Sequence, residues 1–286
     1  MKKEMVEEKI KVYSQDTIYK KGFLPIFKGM VENLLNGKEL AWQLFKRDFK
    51  AKYRQSLLGW AWLFLMPFVT MGTFLLLNVS GVIRIGDIPV PYPIFGLLGI
   101  SIWNIFSAGL TTLTASITAA GSLVSKINFP KEALIISSLG QIVVEFLIRL
   151  ALVFLVYLTY GLLPSPLILL FPLFILPITF LTLGLGFLTS VLDIVVRDTS
   201  RFINLGMNFL LFLMPIMYTM PEKGLLARVN KYNPLFFLIK TPRDIIISGR
   251  IIHPEEFAFS TILSIVIFFG GWFIFYVSQP KLAERV

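Results

Sequence analysis

The chain has no cysteine, a single histidine and little charge of either sign. Without Cys there can be no disulfide, thiolate metal site or cysteine nucleophile, and the redox compartment stays open. Charged residues are 15% of the 286, against roughly 25% in an average soluble domain. There is no acidic cluster of the kind that holds magnesium beside a diphosphate, which a membrane prenyl- or phosphosugar transferase would need. There is no Walker-type glycine loop, so nucleotide binding by that device is not expected. Gly184 and Gly186 lie inside an apolar run and lack the strand–turn–helix setting of a dinucleotide fingerprint. His253 stands beside Pro254 in a polar stretch and reads as solvated. The first fifty residues are charged throughout and lack the apolar segment of a signal peptide. No catalytic, metal or cofactor site is therefore expected.

What is abundant is apolar surface. Hydrophobic residues make up 56% of the chain and Phe alone occurs 27 times, more than a soluble core of this size could hide. The charges are spaced to match. Arg54 and Arg84 bracket 29 uncharged residues, Asp87 and Lys126 bracket 38, and Arg149 and Asp193 bracket 43. Arg201 and Glu222 bracket 20, and Glu256 and Lys281 bracket 24. A helix needs about 20 apolar residues to cross ~30 Å of hydrocarbon. The longest gap, interrupted by Pro164 and Pro166, therefore holds parts of two spans.

These gaps predict an all-α, polytopic integral membrane protein with six transmembrane helices, near 56–79, 92–115, 133–160, 167–192, 202–220 and 257–278. Before them lie a lead-in over 1–30 and an amphipathic interface helix over 31–55. Gly22 and Pro25 are read as breaking any long helix in the lead-in. In the interface helix, Trp42, Phe45, Phe49, Tyr53 and Leu57 recur at helical spacing, with Lys38, Lys46, Arg47, Lys50 and Arg54 mostly on other faces. Residues 56–286 are expected to form the six-span transmembrane domain. Within it, 221–256 carries six Lys/Arg and four Asp/Glu around apolar pieces too short to cross. That segment reads as an outer cap of two short re-entrant helices sheltered by protein.

The net charge of +10 is unevenly placed. Residues 1–56 hold 13 Lys/Arg and 7 Asp/Glu, as a cytoplasmic flank facing anionic membrane lipid would, so no nucleic-acid partner is expected. With the N-terminus inside, inner segments carry 19 Lys/Arg and outer ones 7, which favours both termini inside. No internal repeat is evident, which disfavours repeat-built carriers. Glu145 and Arg149 are the clear intramembrane charges; four apart, they share a helix face with Gln141 and can pair. Two readings stand: a polar element lining a path, or a self-neutralised structural pair. The inner loops ending at Phe129, Pro130, Lys131 and Glu132, and at Asp193, Arg197 and Asp198, suit either protein docking or simple connection.

The run RDFKAKYRQSLLGW at 47–60 resembles the signature of permease subunits of polysaccharide-export ABC transporters, the O-antigen, teichoic-acid and capsule exporters. FPKE at 129–132, DIVVRD at 193–198, PIMY at 215–218 and YNPL at 232–235 resemble further motifs of that family, in family order. The resemblance covers roughly 40–280. It implies a homodimer bound to two copies of a separate ABC ATPase, which would hold the ATP and magnesium. The cargo would be a glycan on a lipid carrier such as undecaprenyl diphosphate, moved outward across the bacterial plasma membrane. The ATPase would dock on the interface helix and the loop carrying Lys126, Phe129, Pro130, Lys131 and Glu132. Sugar rings stack on aromatic faces, so Trp60, Trp62, Trp103 and Phe106 are candidates for the path. Arg47, Lys50 and Arg54 are candidates for lipid phosphate or docking.

Three other functions compete with this one. An ABC permease for a drug or another lipid would share the architecture and differ in cargo. A membrane glycosyl- or prenyltransferase would need paired acidic residues at the membrane face, which the sequence lacks. An ion-coupled carrier would need several intramembrane ionisable groups, where only Glu145 and Arg149 stand out.

Overall fold

The computed structural model describes residues 23–54, 57–220 and 223–285, and among these every regular element is helical. Most of the expected lead-in, and the Gln55–Ser56 and Pro221–Glu222 steps, lie outside the described residues. In chain order the helices are α1 (Phe23–Asn36), α2 (Lys38–Arg54), α3 (Ala61–Val79), α4 (Tyr92–Ala119), α5 (Gly121–Lys126) and α6 (Glu132–Thr159). A 3-10 turn (Pro166–Leu170) leads into α7 (Phe171–Val195), followed by α8 (Thr199–Leu213), α9 (Leu225–Lys231), α10 (Pro234–Ser248) and α11 (Pro254–Arg285). Five of these stretches are long and apolar enough to cross a membrane: α3, α4, α6, α7 with its preceding turn, and α11 to Pro280.

The centre of the bundle is α4, which packs on α6, α7, α8 and α10, while α7 packs against α11. Small residues let these helices close up. A Cβ at Gly184 of α7 would lie 2.6 Å from the backbone of Ile267 and Phe268 in α11. Facing it, Gly271 abuts the Gly184 carbonyl. Where α7 meets α4, a Cβ at Gly186 would lie 2.7 Å from Leu113, and one at Gly109 would lie 2.8 Å from Thr182. In an apolar solvent helices associate through such close van der Waals contact, because lipid tails offer no hydrophobic drive between them. The pair Gly184 and Gly186, unsuited to a nucleotide loop, is thus a packing seam.

The fifth expected span, 202–220, takes a different form. The helix stops at Leu213, and Met214 is extended, with φ −98° and ψ 136°. The cause is Pro215, whose ring disfavours a helical conformation at the preceding residue. At ~1.5 Å per residue, the 15 residues of α8 cover only about 22 Å. Residues 214–218 continue as buried irregular chain, tolerated at membrane depth only inside protein. The Ile216 carbonyl accepts a hydrogen bond from Arg243 Nη1 at 2.7 Å, and the Thr219 N–H donates to Ile85 O at 2.8 Å. Together α8 and this segment are compatible with a sixth crossing. The following stretch forms two short helices: α9, and α10, whose apolar side chains are buried against α4, α7 and α11.

The interface region is two helices, not one. Pro25 sits in the first turn of α1, where its missing N–H costs nothing, so the helix starts before it. Gly37 joins α1 to α2 and lies close to Pro130 and Ala133 at the start of α6. From there α2 follows α6: Phe45 lies over Gly140, and Lys52 reaches Glu145. Trp42, Phe45 and Phe49 stack in succession along α2, with centroids 5.2 and 5.4 Å apart, and Trp60 closes the row edge-on at 4.9 Å from Phe49.

Candidate functional site

Four helices leave a cleft of about 380 Å³ between them. The α4 wall presents Trp103, Asn104, Ser107, Thr111 and Thr112, which share one face because they recur every three or four residues. Thr70 and Pro67 enter from α3, Arg149 from α6, and Asn204 and Asn208, one turn apart, from α8. The hydroxyls of Thr70 and Thr111 donate to Met66 O and Ser107 O, at 3.0 and 2.9 Å, and the Asn104 amide donates to Ile100 O at 2.7 Å. The two hydroxyls thus spend their single donors within the helices and keep oxygen lone pairs for the cleft, while the Asn104 amide retains both a second N–H and its carbonyl oxygen. Among the lining residues Arg149 is the charged one, and none is acidic.

Behind Arg149 lies a second, smaller cavity bounded by Lys52, Asn104, Gln141 and Glu145. Glu145 is buried, and Lys52 Nζ is 2.5 Å from its Oε1; Arg149 Nη2 is 3.5 Å from its Oε2. The pairing expected within α6 is therefore present, and a shorter contact to Glu145 comes from α2. Lys52 was legible as a candidate, since it follows Phe45 by seven residues and so falls on the face of its helix that meets α6.

The other sequence-predicted residues fall into separate groups. Of the aromatic candidates, Trp103 lines the cleft. Phe106 is buried beside it, ring centroids 5.8 Å apart, without lining the cleft. Trp60 and Trp62 stand exposed on either side of the α3 start, away from the cleft. Arg47 pairs with its neighbour Asp48 at 2.7 Å, and Lys50 and Arg54 are exposed on α2.

In the 129–132 motif the charges turn inward. Lys131 is buried, donates to Phe129 O at 3.0 Å and lies 5.0 Å over the Phe129 ring. Burial pushes its ammonium below the usual lysine range, and the adjacent Glu132 carboxylate partly offsets this. Glu132 is buried and accepts from Gln279 Nε2 of α11 at 2.5 Å. Phe129 is buried and Pro130 half-buried, whereas Lys126 is exposed together with Ile127 and Asn128. In the second charged turn, buried Asp193 accepts from the Ser200 N–H at 2.9 Å, the Ser200 hydroxyl at 2.6 Å and the Thr118 hydroxyl at 2.7 Å. It thereby ties together the ends of α4 and α7 and the start of α8. Arg197 is exposed, and Asp198 pairs with Arg201 at 2.9 Å.

Sequence reasoning missed the Asn204–Asn208 pair, whose spacing within an apolar helix was the available signal, and Arg243. Arg243 is buried, lies 4.0 Å over the Phe95 ring and braces the irregular 214–218 segment through the Ile216 carbonyl. Among the described residues no group of three or more His, Asp or Glu gathers as a metal site would.

Residues 39–247 match the family model described as ABC-2 type transporter. The O-antigen export system permease protein RfbA of Myxococcus xanthus is 25% identical over 260 residues, covering 90% of this chain and 99% of that protein. An O-antigen export system permease protein RfbA of Klebsiella pneumoniae is 26% identical over 243 residues, covering 83% of this chain and 91% of its own.

Proposed function

We propose a function that follows from one premise: this chain belongs to the ABC-2 type transporter family. It is a component of a transporter rather than a catalytic enzyme, a multi-pass protein of the inner membrane, and it works with a partner ABC ATPase. Its cargo, on this reading, is a lipid-linked polysaccharide of O-antigen type, moved outward from the cytoplasmic side. The supporting observation is the cleft among α3, α4, α6 and α8. Trp103 offers a ring face for sugar C–H surfaces, and Asn104, Ser107, Thr111, Thr112, Asn204 and Asn208 offer hydrogen bonds to hydroxyls. Such a wall suits a hydroxyl-rich polymer and poorly suits an apolar drug. An apolar pocket of about 600 Å³ between α1 and α11, lined by Phe27, Met30, Phe269 and Phe273, has the character an isoprenoid chain requires.

The working unit is a homodimer with two ATPase subunits. In support, α3 and α8, which flank the cleft, turn Phe68, Val69, Leu76, Phe202, Leu205 and Phe209 outward. ATPase docking is assigned to the surface around Lys126, with Phe129–Glu132 holding that loop against α6 and α11. Both termini lie on the cytoplasmic side in this reading, which the basic excess of residues 1–56 supports.

The test is deletion of the chain in its host, with surface polysaccharide followed by immunoblot and re-expression as control. Loss of surface glycan with intracellular accumulation of the lipid-linked form is expected. Undiminished surface glycan would refute the export reading.

A further inference from the structure

We infer that Arg243 is a positioning residue for the export path: through the Ile216 carbonyl it holds residues 214–218 as a plug across the outer end of the cleft, and the plug withdraws when cargo leaves. The inference deepens the export reading and rests on it, its orientation included.

The place of the segment is the first argument. On α8, Met207 and Leu211 line the cleft, and the helix stops just beyond them at Leu213. On α4, the lining begins at Ile100. The non-helical chain crosses from α8 to α4 directly outward of these residues. A Cβ on Gly99 would lie 2.5 Å from the Ile216 carbonyl oxygen. One on Gly96, a turn further out, would lie 3.2 Å from Met217 Cε and 3.3 Å from Met71 Cγ of α3. Met214, Ile216 and Met217 are at most 1% exposed. Three of the four cleft walls thus meet on this segment, at the end that faces outward when both termini are inside.

The second argument is how the segment is held. Chain without helical hydrogen bonds at membrane depth needs partners from the surrounding protein. Neutral groups tie its two ends. Asn230 Nδ2 donates to Leu213 O at 3.0 Å, and the Thr219 N–H and hydroxyl both donate to Ile85 O, at 2.8 and 3.1 Å. The middle is held by a cation, Arg243 Nη1 donating to Ile216 O at 2.7 Å. That guanidinium is buried, with its centre 4.0 Å from the centroid of the Phe95 ring. Its neighbour Asp244 pairs with Lys240 at 2.5 Å, and among the described residues Arg243 Nε has no hydrogen-bond partner. An apolar side chain would fill this space at less cost than a buried charge. What the guanidinium adds is a fixed position for the Ile216 carbonyl.

The third argument is the surface beneath the plug. Met217 and Met71 lie over Gly96, and the backbone of Ile216 lies over Gly99. Methionine is unbranched and adapts its shape, and a glycine has no side chain to interlock with it. The plug therefore rests on a smooth face of α4, where polar contacts fix it in place. Release of one charged hydrogen bond frees its middle, while α8 and α10 keep their own helical bonds.

The experiment uses the full chain with its ATPase in bacterial spheroplasts, with a membrane-impermeant maleimide as the probe. The chain has no cysteine, so each introduced thiol is the single target on it. A108C, on the α4 wall of the cleft, reports the plug. S248C, exposed at the end of α10, reports that the reagent reaches the outer face, and S190C, fully buried in α7, reports loosening of the bundle. Labelling follows the population of the open form, so R243M should speed labelling of A108C about tenfold or more, the loss of a charged hydrogen bond. S248C should label equally in both backgrounds, and S190C should stay unlabelled. R243K, which keeps a cation and a donor, should give a rate between those of the parent and R243M. G99A pushes on the Ile216 carbonyl from the α4 side without removing a charge; it should also speed labelling of A108C, and it serves if R243M does not assemble. The inference is overturned if R243M, or G99A in its place, leaves A108C labelling unchanged, or if S190C labelling rises in step with A108C. Either result, with surface glycan still lost on deletion, would leave the export reading intact. An S248C closed to the external reagent would overturn the orientation and the inference with it.

Discussion

Two adjacent glycines on α11 should respond oppositely to the same methyl group. A Cβ on Gly271 would run into the Gly184 carbonyl, with that residue's carbonyl carbon and Cα only 3.0 and 3.2 Å away. These are backbone atoms of α7, so no rotamer change can relieve the clash. The helices must separate, and the seam they share includes Phe187 against Trp272 and against Phe275 at 5.0 Å. Forcing an extra methyl into a packed interior costs about 1–3 kcal/mol, and a gap of 0.5–1 Å forfeits roughly a quarter to a half of the dispersion attraction along it. G271A should therefore destabilise by about 2–3 kcal/mol. At roughly 2–4 °C per kcal/mol for a chain of this order of size, the midpoint should fall by about 5–10 °C.

The neighbouring Gly270 has nothing within 4 Å of its would-be Cβ. G270A should be neutral or raise the midpoint slightly, since Ala stiffens a helix interior relative to Gly by about 0.5–1 kcal/mol. Both variants can be heated in detergent micelles and followed by intrinsic fluorescence, with Trp272 one and two residues away from the changes. Equal shifts for the two variants, or a larger loss for G270A, would refute the backbone-on-backbone account of the α7–α11 crossing.

Asp193→Asn keeps the side chain's shape but turns one acceptor oxygen into a donor facing Ser200 or Thr118. It should lower stability by about 1–3 kcal/mol and raise proteolytic cutting near the α7–α8 turn. Lys126→Glu combined with Ile127→Asp changes two exposed side chains, so the melting midpoint should stay within about 2 °C, a shift of under ~1 kcal/mol. Recovery of the ATPase by affinity co-purification should nevertheless fall severalfold; full recovery would remove that surface from the docking interface.

How far the sequence reached can be judged residue by residue. The crossings were legible because each charged residue placed in hydrocarbon is expensive, so long gaps between charges report membrane depth. Gaps say nothing about neighbours, however. α3 and α4 are similarly apolar, yet in their candidate spans α3 is 22% buried and α4 83%. The end of α8 was visible in principle at Pro215, but the uncharged run to Pro221 masked it, because hydropathy does not register what a proline does to the residue before it. Lys131 and Glu132 read as surface charges from their loop setting. The partner that buries Glu132, Gln279, is 147 positions away, beyond any local pattern.

The cleft shows the same limit from the other side. Three of its four walls had a readable polar stripe: Asn104, Ser107 and Thr111 on one helix, Asn204 and Asn208 on another, and Gln141, Glu145 and Arg149 on a third, of which Arg149 reaches the cleft. A stripe fixes which residues share a face, while which faces meet depends on how the helices cross. Here the crossing is set by glycines at 109 and 186, which draw α7 tight against the other side of α4 and leave its polar side to α3, α6 and α8. Small residues and polar residues thus act together: close packing on the apolar seam opens the polar one. Widening the α4–α7 seam should therefore alter the cleft without touching a single residue that lines it.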